Sequence, residues 1–243
     1  LNQAVKDEQL RELFQNKDFR QALSIAVNRD QLAEIVSDGF AEGAQAAPAK
    51  GALGYSEEWK NKWTEYDPDG AKALFESCGL VMGTDGFYDF EDGKDLVLNI
   101  STFTDSGSDK TAELLMKYFE EVGIETTYKP VDRTVLDNIT TSNDHEVIIG
   151  PVAPAGTVSI ILRPDTLVPV RNYAPWYGAI GDWYASGGEE GVEPTGDLLK
   201  LVELYDELRS AMTTQEQERI ALEMLKLHEE NLWVLGFTES LPV

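Results

Sequence analysis

The clearest alternation of apolar and polar positions runs from Asp18 to Gly39, DFRQALSIAVNRDQLAEIVSDG. Phe19, Ala22, Leu23, Ala26 and Val27 recur at helical spacing, so one face of a first helix is apolar. Asp18 is placed to cap it, with Gln21 as the return partner. Asn28-Arg29 interrupts the pattern, and Asp30 is expected to cap a second short helix carrying Leu32, Ile35 and Val36, closed by Gly39. Ahead of this stretch, Val5, Leu10, Leu13 and Phe14 form a shorter amphipathic segment. After it, AEGAQAAPAKGALG has no period of either kind. Trp59 and Trp63 lie four apart, so a short helix between Tyr55 and Tyr66 would set both on one face, packed against the domain.

Asp67-Pro68-Asp69 announces the next helix, with Asp67 as N-cap, Pro68 at the first helical position and a stop at Gly79. Ala71, Leu74, Phe75 and Cys78 line one face, so Cys78 reads as a buried small hydrophobe. Residues 85–95 are acidic and bear glycine, but Phe87 and Phe90 stand where a calcium loop needs a ligand and a glycine. A surface hairpin is the expectation there. Leu96, Leu98 and Ile100 alternate and predict a strand to Thr102. Residues 108–122 predict a helix with Ala112, Leu115, Met116 and Phe119 on one side, and 124–131 a second strand. That rhythm gives a right-handed crossover with parallel strands. A short helix over 134–143 then leads to Val147, Ile148 and Ile149, a third strand.

From Gly150 to Glu193 the periodicity fades into a segment rich in proline and glycine, with Tyr173, Trp176, Tyr177, Trp183 and Tyr184 among them. A long irregular stretch in a compact domain is functional or disordered, and the aromatic content favours function. Two helices follow. Residues 195–212 carry Leu198, Leu201, Val202, Tyr205 and Leu208. Thr213 or Thr214 caps the next, which carries Ile220, Met224, Leu225 and, at the edge of its apolar side, His228, read as a structural histidine. Residues 232–237 are expected to form a last strand.

Composition narrows the chemistry. The 243 residues are 42% hydrophobic and 9% aromatic, as in a globular protein with a sizeable core. Twenty Lys and Arg stand against 44 Asp and Glu, a formal charge of −24. Nucleic acid is excluded as a partner, because phosphate binding relies on clustered cations, and so is adsorption to anionic lipid. One cysteine and two distant histidines, His145 and His228, make neither a disulfide nor a zinc site. No G-x-S-x-G elbow or Walker pattern is present, and no cofactor is expected. Paired carboxylates leave a glycoside hydrolase as the weakest alternative; Glu189 and Glu190 lie near the aromatic segment, yet sequence neighbours seldom converge on one bond. Aromatic groups on a loop held by a rigid sheet suit a surface for sugars or peptides. The competing expectation is that Trp176, Tyr177 and Trp183 fill the space under that loop.

The lead stretch also resembles a family. Lys17, Phe19, Arg20, Ala22, Leu23, Ala26, Val27, Asn28, Arg29 and Asp30 answer the pattern (K/P)-x-(F/V)-R-x-A-(L/I)-x-x-A-(I/V)-(N/D)-R-(D/E) that opens the second lobe of family 5 solute-binding proteins of ABC importers. The Asp67-Pro68-x-x-Ala71-x-x-Leu74-Phe75-x-x-x-Gly79 helix is similar to that family's YDPEKAKALLAEAG. Residues 96–124 are similar to its LTL…LKKIGI unit, residues 213–227 to its DPEER…L…A…IL helix, and Glu230–Val234 to the ending of that segment in some peptide binders. NYAPWYGAIGDWYASGG is similar to a subgroup.

The resemblance implies a lobe of a type II periplasmic-binding-protein-like fold, an α/β unit with an open mixed sheet flanked by helices. Residues 1–243 would be one ligand-binding lobe of a larger two-lobed clamshell, with both ends near the hinge and the first lobe missing. Such proteins work outside the cytoplasmic membrane, in the periplasm or lipid-anchored at the cell surface. They hand an oligopeptide or similar solute to ABC permease subunits without altering it. The residues expected at the ligand are Tyr173, Trp176, Tyr177 and Trp183, with Asn172 as a hydrogen-bonding partner and Gly150, Pro151 and Val152 contributing backbone. One departure matters. Peptide binders commonly carry an aspartate for the peptide amino terminus in the loop after the third strand, and here that loop reads Gly150-Pro151-Val152-Ala153-Pro154-Ala155-Gly156. A free ammonium would lack its counter-charge, which keeps an oligosaccharide open as the ligand.

Overall fold

Asparagines begin the two lead helices in the computed structural model, which describes residues 1–104, 106–151 and 156–240. After α1 (Glu8–Gln15), Asn16 caps α2 (Lys17–Ile25), its side chain accepting from the Asp18 amide, and Asn28 caps α3 (Arg29–Ser37) by accepting from Gln31. Asp18 and Asp30 therefore lie in first turns, where their charge still suits the helix dipole, and are not the caps. Asp38 and Gly39 close α3 with positive φ.

The loop that follows contributes β1 (Ala41–Gly43). Helix α4 (Glu57–Lys60) ends too early to place both tryptophans on one face: Trp63 takes a left-handed backbone, and it packs on a different cluster from Trp59. Helix α5 (Pro68–Ser77) has the expected Asp67 cap and Pro68 start, and Cys78 is half-buried at its end. The hairpin starts earlier than its acidic residues, as β2 (Val81–Met82) and β3 (Tyr88–Asp89).

Strand β4 (Val97–Phe103), α6 (Asp109–Glu121), β5 (Glu125–Val131), α7 (Arg133–Thr141) and β6 (Val147–Ile148) form the expected unit. Both neighbours of β4 are parallel to it, in the order β5-β4-β6. Leu98, Ile100 and Thr102 point inward from β4, as the period of two requires. The α/β class is as expected, but the mixed character of the sheet is divided: one parallel three-stranded sheet and two separate antiparallel pairs.

Residues 156–193 are more regular than their composition suggests. Helix α8 (Thr157–Leu162), a 3-10 turn at Pro164–Thr166 and α9 (Gly178–Ser186) lie there, so Trp183 and Tyr184 are helical. Helices α10 (Gly196–Ser210) and α11 (Thr214–Asn231, capped by Thr213) follow. The last strand is β7 (Thr238–Ser240), not 232–237; it pairs antiparallel with β1, and Leu232 is instead the left-handed cap of α11.

Two main clusters form the core. One joins α1, α2, α5 and α6 to the parallel sheet through Phe14, Phe19, Phe75 and Tyr88, whose rings follow one another at 5.5–6.0 Å. The other gathers Trp176, Tyr177 and Ile180 with α10, α11 and Trp233. The conspicuous arginines of the lead stretch tie the chain's end to α2 and α3. Arg20, buried, donates to Phe14 O (2.7 Å) and Asn231 O (2.6 Å). Arg29, also buried, donates to Ser24 O (2.6 Å), Ser24 Oγ (2.7 Å) and Gly236 O (2.9 Å). Burial pushes both guanidiniums down to about 10, so both remain charged at neutral pH.

Candidate ligand-binding surface

The parallel sheet directs its carboxyl ends, Phe103, Val131 and Ile148, to one rim, the side on which open α/β sheets meet ligands. At that rim Arg133 lies 5.4 Å from the Phe103 ring centroid, and the Ile149 amide still donates to Ser101 O at 3.0 Å. Beyond Ile149, Gly150 and Pro151 are exposed. Val152 lies outside the described residues. Helix α8 then shows solvent Val158 and Leu162, each 70% exposed and one turn apart.

The aromatic candidates divide. Trp176 is 7% exposed and stacks on Trp233, centroids 5.6 Å apart, with His228 edge-on to both indoles. Tyr177 is equally buried, and its hydroxyl accepts from Gln15 Nε2 at 3.1 Å. Trp183 is half-buried on α9, whereas Tyr173 is 55% exposed and Asn172 is open to solvent. The structure thus brings Trp176 and Tyr177 together in the second core cluster and leaves Asn172 and Tyr173 together on the surface. His228 Nε2 donates to Leu167 O (2.6 Å), and burial lowers its pKa to about 4. It is a neutral, satisfied histidine in the packing.

Backbone proximity shapes the exposed pair. A Cβ on Gly178 would overlap the Asn172 carbonyl, and one on Gly181 would overlap the backbone of Arg171 and Asn172. The chain at 171–172 therefore lies directly on the first turn of α9, with no side chain between them. Two further contacts fasten this segment: the Gln3 amide donates to Trp176 O (2.9 Å), and Pro175 O sits 2.7 Å from His145 Nε2. The glycine pair in GAIG was visible in the sequence, but its meaning depended on which backbone crossed it.

Sequence reasoning also passed over a polar cluster between α9 and α10. Tyr184 donates to Asp206, its ring meets Tyr205 edge-on at 5.7 Å, and Arg209 lies 5.6 Å from the Tyr205 ring. Glu189 and Glu190 are both exposed, on the turns after α9. Among the described residues, no group of three or more His, Cys, Asp or Glu converges to hold a metal ion. No described helix is long and apolar enough to cross a membrane.

A sequence model of bacterial extracellular solute-binding proteins, family 5 (middle region), matches residues 1–159. The periplasmic alpha-galactoside-binding protein of Rhizobium meliloti (strain 1021) is 24% identical over 237 residues, covering 95% of this chain and 33% of the relative. Among solved structures, an oligopeptide-binding protein OppA superposes with a TM-score of 0.87 at 27% identity, covering 99% of this chain and 40% of OppA. The periplasmic binding protein MelB of Agrobacterium fabrum C58, solved with stachyose, superposes with a TM-score of 0.75 at 20% identity over 96% of this chain and 35% of MelB. The chain thus spans about a third of the curated relative and two fifths of OppA.

Proposed function

This chain belongs to the family 5 bacterial extracellular solute-binding proteins, and on that premise we propose that it forms one wall of the ligand cleft of an ABC importer's receptor. The receptor captures an oligopeptide or similar solute outside the cytoplasmic membrane, free or lipid-anchored, and passes it unaltered to permease subunits. A second lobe of the same protein closes over the solute by hinge motion. The observation that carries this reading is the exposed Asn172-Tyr173 pair, laid on a glycine-flattened helix turn: a flat ring beside a polar amide, on a rigid support. Trp183 and the backbone at Gly150, Pro151 and Val152 complete the proposed contacts. Trp176 and Tyr177 support them from beneath.

An oligosaccharide is the second reading, favoured by the loop of residues 150–156, which contains no charged side chain to meet a peptide terminus. The similar α-galactoside-binding protein agrees in direction. Calorimetric titration of the two-lobed protein with stachyose and with an unmodified nonapeptide separates the two ligand classes. Saturable binding of either, with no turnover of chromogenic glycosides or peptides, is the expected result. Turnover, or binding of neither, would remove the receptor reading.

A further inference from the structure

The turn that exposes Asn172 and Tyr173 is fastened from below by Gly178 and Gly181, and from the side by His145. His145 is 4% exposed, between the end of α7 and β6. Its Nε2 lies 2.7 Å from Pro175 O and its Nδ1 3.3 Å from Ile139 O. Both partners are carbonyl oxygens, so the neutral ring can donate to only one, and the shorter contact puts the proton on Nε2. The Asn2 side chain donates to the His145 carbonyl at 2.8 Å, tying down the backbone that carries the ring.

Among the charged groups around the ring, Asp144, itself paired with Lys6, favours the imidazolium. On the turn the charged side chain is Arg171, which is exposed. Burial outweighs the hydrogen bonds and holds the histidine below its ordinary pKa, so the ring is neutral near pH 7. Once protonated, such a ring favours states that return it to water.

We propose that His145 is a positioning residue: its neutral ring pegs Pro175, thereby setting Asn172 and Tyr173, and acidification releases the turn. That this turn meets ligand rests on the function proposed above; the peg does not. Hydrogen exchange of the full protein, corrected for intrinsic rates, reads the peg without any ligand. The reporters are the amides of Ala174 and Tyr177, which donate to Arg171 O and Ala174 O. Between about pH 7.5 and about pH 5 their protection should fall at least about threefold, with β4 unaffected. The comparison is made in a His228→Gln background, because His228 packs edge-on against Trp176 and also titrates below its ordinary value. There His145→Gln keeps a donor but cannot titrate, so it should retain neutral-pH protection and lose the pH dependence. His145→Leu should lower protection at both pH values. The same pH dependence with and without His145→Gln in that background, or full protection in His145→Leu, overturns the proposal. A wrong ligand assignment leaves this exchange pattern intact and shows instead as unchanged solute affinity in Tyr173→Ala.

Discussion

The α/β half of the molecule and its aromatic half are built by different rules. Through residue 151, most helix starts are written locally: Asp7, Asn16, Asn28, Ser56, Asp67 and Asp132 each accept a backbone amide two or three residues on, and among the described helices there α6 alone begins without a side-chain cap. From residue 156 onward, α8, α9 and α10 begin with no side-chain cap, and among these later helices only α11 has one, from Thr213. What places α9 is tertiary: backbone lying on Gly178 and Gly181, and Trp176 wedged between Trp233 and His228. A region positioned by contacts far apart in sequence can change its surface without rewriting its helices. It is also the region that exposes the candidate ligand contacts.

The largest expected effect breaks the aromatic half at its centre. Trp176→Ala removes a buried indole stacked on Trp233 and met edge-on by His228, and should cost about 3–5 kcal/mol in denaturant unfolding. Tyr173→Ala, three residues away and mostly exposed, should leave unfolding almost unchanged. Next in size is the junction of the halves. Arg29→Met strips Ser24 and Gly236 of a charged donor and should cost about 3 kcal/mol by the same measurement. If the C-terminal segment loses hydrogen-exchange protection while β4 keeps it, the arginine is confirmed as the tie between the halves.

Acid should act on the aromatic half. His228 has its pKa lowered to about 4 in the fold, so the unfolded chain binds its proton first. Its contribution is complete above the unfolded value near 6.5 and is lost as the pH falls towards 4, on the order of 3 kcal/mol. His228→Gln should flatten the stability profile between those two pH values; an unchanged slope would assign the acid sensitivity elsewhere. The smallest effect sharpens the contrast in capping. Asp67→Ala should cost about 1 kcal/mol, whereas Thr195→Ala, whose side chain makes no cap bond, should cost nothing measurable by thermal unfolding.

The same contrast explains which features could be read from sequence. The strand-helix-strand unit and the α5 start were readable because period, cap and glycine stop agree within a dozen residues. The cap of α2 was misplaced by two residues because Asn16 and Asp18 are both good caps and only backbone geometry chooses between them. The helix over 178–186 was missed because its two glycines look like a breaker when they are in fact an approach surface. Among the site candidates, aromatic identity alone did not separate Trp176 from Tyr173. Burial separates them, and burial comes from α10 and α11, more than twenty residues further along.

The most direct test of the account compares solute affinity in two single variants of the two-lobed protein, Tyr173→Ala and Asp67→Ala, by calorimetric titration with stachyose and with a nonapeptide. The account expects Tyr173→Ala to weaken binding of the recognised solute by at least about tenfold with the thermal midpoint unmoved, and Asp67→Ala to lower the midpoint with affinity intact. Wild-type affinity in Tyr173→Ala would contradict it.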